Sequence, residues 1–547
     1  MDKSRTVLFE RYAIAAFSAF YLIVFHTNIP SGDALVYVRQ IEEGLLVWNP
    51  NHLLMQPVGK LIYDSIGAAG AGLSILNTFK LISAVSAIAS LYLFHLILVQ
   101  INVQSSLLRV FGVLGLFASN YFLTMSVTEE YFMLQMPFLL VALMMLIKWT
   151  ESKTGEGKYL ELVISGAMLS IASLVIVNNV FLMAFMGLYI LTTKATGGSE
   201  RIRALFVFSV SACVVLVPVI LLGFYLSEYD GGFVEWMSSY QGEGGNPLSN
   251  LYGVTWTVVG VLNSMARLGF NFFANFIDLG GIGTVLQSWV FGQDLEFRPD
   301  IFQVVQGTIL FAVLLVAIGY IAFWISQRLR KYKILKLIVV WIVAYLAFNF
   351  LWNDSSDQFW FQILPALWLA IMFYLNENKT GNKCKKCDVI LAVFVSFVLI
   401  QNTTQAIIPK AFIDTQALGE QHEALIKEYA LEIIPGWDGI RWLGLQKEVT
   451  GIEQVTLMDV GLSKDGAESL TDKIDGHLEQ GGRVIVARLY DLDENPRPWV
   501  QLKKLGMSRK QIKKTLEKYD QRKVGSINGV VFHELVKVSE MRGQKDE

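Results

Sequence analysis

Runs of apolar residues, each close to the length of a membrane crossing and set apart by short charged stretches, fill most of the first 410 positions. A crossing helix needs about 20 mostly apolar residues. Such runs lie near 12–28, 72–99, 107–125, 131–149, 159–176, 178–193, 204–226, 302–326, 336–352, 359–375 and 388–408. The pattern predicts about eleven membrane-spanning helices. Two stretches break the rhythm. Between the first and second runs lies "SGDALVYVRQIEEGLLVWNPNHLLMQPVGK", where Leu35, Val38, Ile41 and Leu45 recur at three- and four-residue intervals. That spacing predicts an amphipathic helix over 33–44 lying on the membrane surface, with a second over about 52–66. Residues 228–300 include the half-apolar "LYGVTWTVVGVLNSMARLGFNFFANFID" and are predicted to form a long loop with helices lying at, or re-entering, the interface.

From about residue 411 the pattern changes to short strands, "VTLMDVG", "GGRVIVARLYD" and "INGVVFHELVKV", separated by the polar helical runs "GAESLTDKIDGHLEQ" and "MSRKQIKKTLEKYD". The expected architecture is a polytopic α-helical membrane domain over 1–410, with outer loops at about 29–71 and 228–300. A small soluble α/β domain follows over 411–547. It carries no glycine-rich phosphate loop and no metal cluster, and an accessory role is assigned to it.

Composition agrees. The chain is 53% hydrophobic and 17% charged, with a mean hydropathy of +0.46, which excludes an ordinary soluble protein. Three cysteines exclude a disulfide scaffold, and the "CKKC" at 384–387 lacks the second pair a zinc site needs. The first run follows Lys3, Arg5 and Arg11, as a signal peptide would, but no small-residue cleavage site comes after it. It reads as a retained helix. With the N-terminus in the cytoplasm, about nineteen Lys and Arg fall in the inner short loops against about four outside, the expected positive-inside bias. A single crossing within 251–278 would put "QRLRKYK" outside and invert that bias. An odd number of spans then places the C-terminal domain outside the cytoplasm of a multi-pass cell-membrane protein.

Ionisable residues at membrane depth are costly and mark candidate chemistry. Asp33 follows the first run directly, where a carboxylate facing an aqueous cavity can act as a general base. Lys80 lies about two turns into the second run, where an ammonium either snorkels outward or pairs with an anionic headgroup or phosphate. Glu129 and Glu130 open the fourth run on the same side. Their ordinary reading is a solvated acidic stretch favouring a helix N-terminus. Trp236 and Tyr240, in the glycine-rich "SEYDGGFVEWMSSYQGEGGNPLSN", either stack on a sugar or anchor the chain at the interface.

Taken together these residues resemble the glycosyltransferase C superfamily, integral-membrane enzymes that take sugar from a polyprenyl-phosphate donor and include the protein O-mannosyltransferases and the lipid A aminoarabinose transferases. The acidic residue after the first span corresponds to Asp33 in "SGDALVYVRQ". The His-Pro-Pro-Leu-like start of a second juxtamembrane helix is similar to "NPNHLLMQPVG" through His52, Leu53 and Leu54. Lys80 matches the basic residue that contacts the donor phosphate. Glu129 or Glu130 matches the acidic residue opening the fourth span, and "SSDQFWFQILPALW" resembles the late aromatic helix start before Pro365. The prolines after the histidine are missing, and the second acidic position holds Glu where many relatives have Asp. The sugar is therefore left open. The soluble tail lies outside the match.

The resemblance implies an inverting transfer. Asp33 takes the proton of an acceptor hydroxyl as that oxygen attacks the sugar's first carbon. Lys80 meets the departing phosphate, with His52, Arg39, Tyr37, Arg267 and Arg298 as further donor-binding residues, and Glu129 and Glu130 orient the acceptor. A phosphate leaving group needs positive charge rather than a dedicated acid. The implied partners are a polyprenyl-phosphate-sugar lipid, a glycan, lipid or protein acceptor, and the surrounding membrane lipids, with no nucleic acid. No cofactor is indicated, no residue is assigned to a metal, and a divalent metal is left open. The rival readings are a polysaccharide polymerase or ligase, for which two arginines in 228–300 are few, a lipid or sugar transporter, for which internal repeats are missing, and a non-catalytic receptor or scaffold.

Overall fold

The computed structural model describes residues 3–28, 37–130 (except 39 and 43), 132–151, 158–193, 198–238, 268–273 (except 270), 316–352 (except 317 and 318), 357–378, 383–411, 415–434, 452–487 (except 458, 459 and 461–465) and 509–537 (except 528 and 529).

Helices occupy the predicted apolar runs. They are α1 (Lys3–Val24), α2 (Met55–Ala68), α3 (Ile75–Gln100), α4 (Ser106–Ala118), α5 (Asn120–Val127), α6 (Phe132–Glu151), α7 (Lys158–Val175), α8 (Asn179–Thr192) and α9 (Gly198–Leu226). A short α10 (Phe233–Ser238) follows, then α11 (Lys333–Trp352), a 3-10 turn over Asp357–Ile363, α12 (Leu364–Glu377) and α13 (Lys383–Asn402). Among the described residues, α3, α6 and α9, and α1 from Arg5 onward, are long and apolar enough to cross a membrane. The bent pair α4 and α5 makes a fifth candidate. The expected total of eleven rests partly on 302–326, of which only 316 and 319–326 are described, the latter as helix.

The run at 107–125 was expected as one helix and is instead broken at Ser119, with a 69° bend between α4 and α5. Inside a membrane a broken helix needs partners for its freed backbone groups. Here Asn402 donates its amide to the Ala118 carbonyl at 2.7 Å, and Ser119 Oγ accepts the Trp368 indole N–H at 2.9 Å. Gly115 lets the same indole approach, because a Cβ there would stand 2.3 Å from the ring.

Helices α1 and α3 run antiparallel and are pinned at both ends. At one end Glu10 Oε2 meets His95 Nε2 at 2.8 Å, and Arg109 of α4 grips the same carboxylate at 2.9 and 2.6 Å. At the other end Lys80 reaches the residues that follow α1. About 22 Å of helix separates Lys80 from His95 at 1.5 Å per residue, comparable to a bilayer's hydrocarbon core of about 30 Å. Ser74 and Ser105 cap α3 and α4 by accepting from Asn77 N and Leu108 N at 3.2 and 3.3 Å. The α2 helix docks on α3 where Gly59 admits the Phe79 ring, 2.3 Å from where a Cβ would lie.

The C-terminal part forms α15 (Thr415–Ile426), reached through a π turn at Thr403–Ile407 and a single turn α14 (Ile408–Ala411). A five-stranded sheet follows, of order β2-β1-β3-β5-β4. Its strands are β1 (Leu431–Ile434), β2 (Glu453–Thr456), β3 (Val484–Ala487), β4 (Tyr519–Ile527) and β5 (Val530–Lys537), with α16 (Gly466–Glu479) and α17 (Arg509–Leu516) between them. β1 pairs parallel with β2 and β3, while β5 pairs antiparallel with β3 and β4. The central β3 is buried on both faces. Val484 and Val486 pack with Ile474 and Ile512, and Ile485 and Ala487 pack with Ile426 and Phe532. That explains its continuous apolar "VIVA". Strands β1 and β4 were not expected: β4 occupies the tail of the run read as helical, "YD", and the residues after it.

Candidate functional site

The clearest convergence of polar groups lies where α1 ends. The chain leaves helix at Val24, and Thr27 turns back onto the last residue of α5. Its N–H and its Oγ1 both donate to the Val127 carbonyl, at 3.1 and 3.0 Å. The Thr27 carbonyl in turn accepts the Lys80 ammonium at 2.7 Å. Val127 leads straight into Thr128, Glu129 and Glu130, all buried, with Glu129 wholly so. Ser83, one turn beyond Lys80 on α3, donates its hydroxyl to the Glu130 carbonyl at 2.9 Å. Lys80 and Glu129 lie within electrostatic reach of each other. A cation and two carboxylates are thereby held at one end of the bundle by three helices. A half-buried ammonium is tolerable there because a carbonyl and a nearby carboxylate offset its desolvation.

This overturns the ordinary reading of Glu129 and Glu130 as a solvated acidic stretch, since neither side chain faces solvent. Trp236 is similarly corrected. It neither anchors at an interface nor offers an open face, because it is buried with Leu53 and Leu174 and stacks near Phe224 at 5.5 Å. Tyr240 lies outside the described residues.

The juxtamembrane segment is described in part. Residues 37–38 and 40–42 are helical, and Val38 and Ile41 are buried against the bundle as the spacing requires, whereas Leu45 is exposed. Tyr37 packs half-buried against the same core. Gln56, buried at the start of α2, accepts Val47 N–H at 2.7 Å and donates to Gln40, stitching the two helical pieces together. Its importance had no sequence signal beyond a polar residue beside an apolar run. The loop before α2 is hooked onto the turn between α7 and α8. Leu54 N–H donates to Leu174, Val177 N–H donates to Asn51, and His52 Nδ1–H donates to the Val175 carbonyl at 3.3 Å. Burial pushes the His52 imidazole down to about 4, against the opposing pull of that backbone bond. It is neutral at pH 7 and brings no positive charge to a phosphate.

Next to this hook sits a second polar group that the sequence reading missed. Asn179 donates to Gln135 Oε1 at 2.6 Å and to the Ala172 and Ile176 carbonyls at 2.9 and 3.1 Å, and it accepts the Tyr345 hydroxyl. Polar amides within apolar helices were the available signal.

Lys80, Glu129 and Glu130 are thus brought together, and Tyr37 and His52 lie in the adjoining juxtamembrane segment. Asp33, Arg39, Arg267 and Arg298 lie outside the described residues. Among the described residues no three His, Cys, Asp or Glu side chains gather as a metal site.

No family model and no curated protein sequence matches the chain. Solved structures do. ArnT from Cupriavidus metallidurans bound to undecaprenyl phosphate is similar with a TM-score of 0.55 at 11% identity, covering 98% of each chain. Its apo form gives 0.57 at 10% identity, over 97% of this chain and 98% of that one. The Archaeoglobus fulgidus oligosaccharyltransferase in its apo form gives 0.55 at 13% identity, over 94% of this chain and 73% of the other. At such identities the likeness is one of fold. The expected likeness is borne out as one of fold, and the likeness to ArnT extends through the C-terminal sheet that the sequence resemblance had left outside.

Proposed function

From a fold shared with ArnT and an oligosaccharyltransferase, we propose that this chain is an inverting glycosyltransferase. It moves a sugar from a polyprenyl-phosphate carrier to an acceptor hydroxyl on the extracytoplasmic face. The observation that carries this reading is the Lys80 ammonium fixed on the Thr27 carbonyl, beside Glu129. It stands at the foot of the segment that holds Asp33 six residues further on.

In this reading the carrier phosphate lies against Lys80. One of the three ammonium donors is committed to Thr27, which leaves two for phosphate oxygens. The acceptor oxygen forms a bond to the sugar's first carbon as the bond from that carbon to the phosphate oxygen breaks. Asp33 takes the acceptor's proton, and the leaving phosphate keeps the electron pair and stays paired with Lys80. A positioned base contributes typically about 10²–10⁴-fold, and fixed positive charge meets the charge that develops on the leaving group. Glu129 lies beside Lys80 and helps to hold it in place, and Glu130 is positioned by its backbone bond to Ser83. The membrane domain over 1–410 carries this chemistry, with 411–547 as an extracytoplasmic accessory domain. Arg39, Arg267, Arg298 and Tyr37 are assigned to the donor side.

The reading is tested with the full chain in nanodiscs, supplied with a panel of undecaprenyl-phosphate-linked sugars and a crude acceptor extract. Release of free undecaprenyl phosphate that requires Asp33 supports it; no release with any member of the panel, together with no binding of bare undecaprenyl phosphate, overturns it.

A further inference from the structure

Among the side-chain amide atoms that stand buried and unpartnered in the described residues, five belong to neighbouring elements at one end of the bundle. They are Gln135 Nε2, both amide atoms of Asn178, and both of Gln362. Gln135 and Gln362 are 0% exposed and Asn178 is 1% exposed. An orphaned buried polar atom is costly when no partner replaces water, so a fold that keeps five of them on packed neighbouring elements implies a polar counterpart.

Their surroundings tie them into one layer. Gln135 lies on the first turns of α6, five residues after Glu130, and its Oε1 is held by Asn179. Asn178 is the neighbour of Asn179 in the α7–α8 turn. Tyr345 of α11 donates to Asn179. One turn earlier on α11, Trp341 donates its indole N–H to the backbone carbonyl of Gln362 at 2.9 Å. Asn179 is saturated and acts as the hub, which fixes Gln135 so that its NH₂ group is the part left to offer. The 3-10 turn that carries Gln362 packs Phe361 against Tyr121 and Phe122 of α5, at 6.3 and 5.9 Å between centroids, the helix that ends at Val127 beside Lys80.

The chemistry of this layer is specific. A carboxamide presents one donor and one acceptor side by side, and a sugar hydroxyl is both donor and acceptor. Among the described residues no Lys or Arg hydrogen-bonds to these amides, and the imidazole at the same turn, His52, is neutral at pH 7, so a sugar carboxylate would be buried there without a described cation. We infer that Gln135, Asn178 and Gln362, braced by Asn179 and Tyr345, form the subsite for the transferred sugar, and that this sugar is polyhydroxylated and carries no carboxylate. The inference rests on the proposed transfer from a polyprenyl-phosphate carrier and adds the class of sugar and the residues that read it.

The test measures affinity of the full chain in nanodiscs for five probes: bare undecaprenyl phosphate, and the same carrier bearing glucose, mannose, 4-amino-4-deoxyarabinose or galacturonic acid. The expected result is that a carrier bearing a sugar without a carboxylate binds about ten-fold tighter than the bare carrier, and tighter than the galacturonic acid carrier. Gln135→Leu and Gln362→Leu should erase that advantage while leaving affinity for the bare carrier as in wild type. Where a leucine variant does not fold, Gln362→Asn, which keeps the amide and shortens its reach, takes its place, and the ranking of probes by the wild-type chain decides the sugar class. The inference is overturned if the galacturonic acid carrier binds tightest, if no sugar improves on the bare carrier, or if the variants weaken the bare carrier equally. Binding of the bare carrier reports on the functional reading, and the increment from the sugar reports on this one.

Discussion

The ammonium of Lys80 lies 2.7 Å from the carbonyl oxygen of Thr27, on the segment that closes α1. Thr27 is itself clamped to Val127 through both its N–H and its hydroxyl, so the cation is aimed by three helices and not by its own flexible stem. Lys80→Ala should therefore cost the carrier phosphate a charge-assisted hydrogen bond, about 1.5–3 kcal/mol or roughly ten- to hundred-fold in affinity. Titration of bare undecaprenyl phosphate into nanodiscs measures it. Affinity equal to wild type would remove Lys80 from the donor site.

Asp33 is assigned to proton removal, a step that leaves binding aside. Asp33→Asn keeps the side chain's size and removes its basicity. The turnover number should fall by about 10²–10⁴-fold, with undecaprenyl phosphate affinity and detergent-solubilised yield unchanged. Transfer at the wild-type rate by this variant would rule out Asp33 as the base.

His52 gives a pH signature. Its imidazole is lowered from the usual 6.5 to about 4 by burial, so between those values the unfolded chain binds the proton that the folded one excludes. Stability from this site is full above pH 6.5 and declines as the pH falls toward 4, by about 3 kcal/mol over the interval. Protease sensitivity of the 45–54 segment, followed from pH 7 to 5, should rise in wild type. His52→Gln should flatten that rise; an identical rise in the variant would assign it to other groups.

Much of the membrane part was legible because bilayer burial imposes a length and a polarity on each helix. Val38 and Ile41 turned inward as their spacing required. What the pattern could not carry was the break at Ser119. The residues that make it tolerable, Asn402 and Trp368, lie far along the chain and act through single hydrogen bonds. The same holds for Asn179, whose partners sit on α6, α7 and α11. In the C-terminal domain β3 was visible as an apolar run buried on both faces. By contrast, β4, "YDQRKVGSI", is an edge strand with half its positions in water and reads as a polar run continuing the helix before it. Lys80 and Glu129 were legible singly; their nearness was not, since it depends on the clamp between Thr27 and Val127.

The Glu10, His95 and Arg109 cluster pins the opposite end of α1 and α3. Glu10 and Arg109 are 3% and 4% exposed, with two hydrogen bonds between them. Arg109→Met takes the guanidinium from a buried carboxylate that keeps only neighbours such as His95 and should cost about 3–5 kcal/mol, seen as a lower melting temperature in detergent. Pairing it with Glu10→Gln should recover part of that loss, because the buried charge goes as well. A double variant no more stable than Arg109→Met alone would show that the two side chains do not act as a pair.

The proposed orientation of the chain rests on charge. Basic residues crowd the loops on the Glu10 side, among them Arg328, Arg330, Lys331 and Lys333, which the positive-inside bias assigns to the cytoplasm. The odd number of crossings expected from the sequence would then put the C-terminal sheet, in which α16 exposes Asp472, on the other side. With Cys213, Cys384 and Cys387 replaced by serine, Asp472→Cys should react with a membrane-impermeant thiol reagent in intact cells. A companion Glu200→Cys at the start of α9 should react only after lysis. Protection of position 472 until lysis would place the sheet in the cytoplasm, reverse the parity of the spans, and separate the accessory domain from the face on which the transfer is proposed to occur.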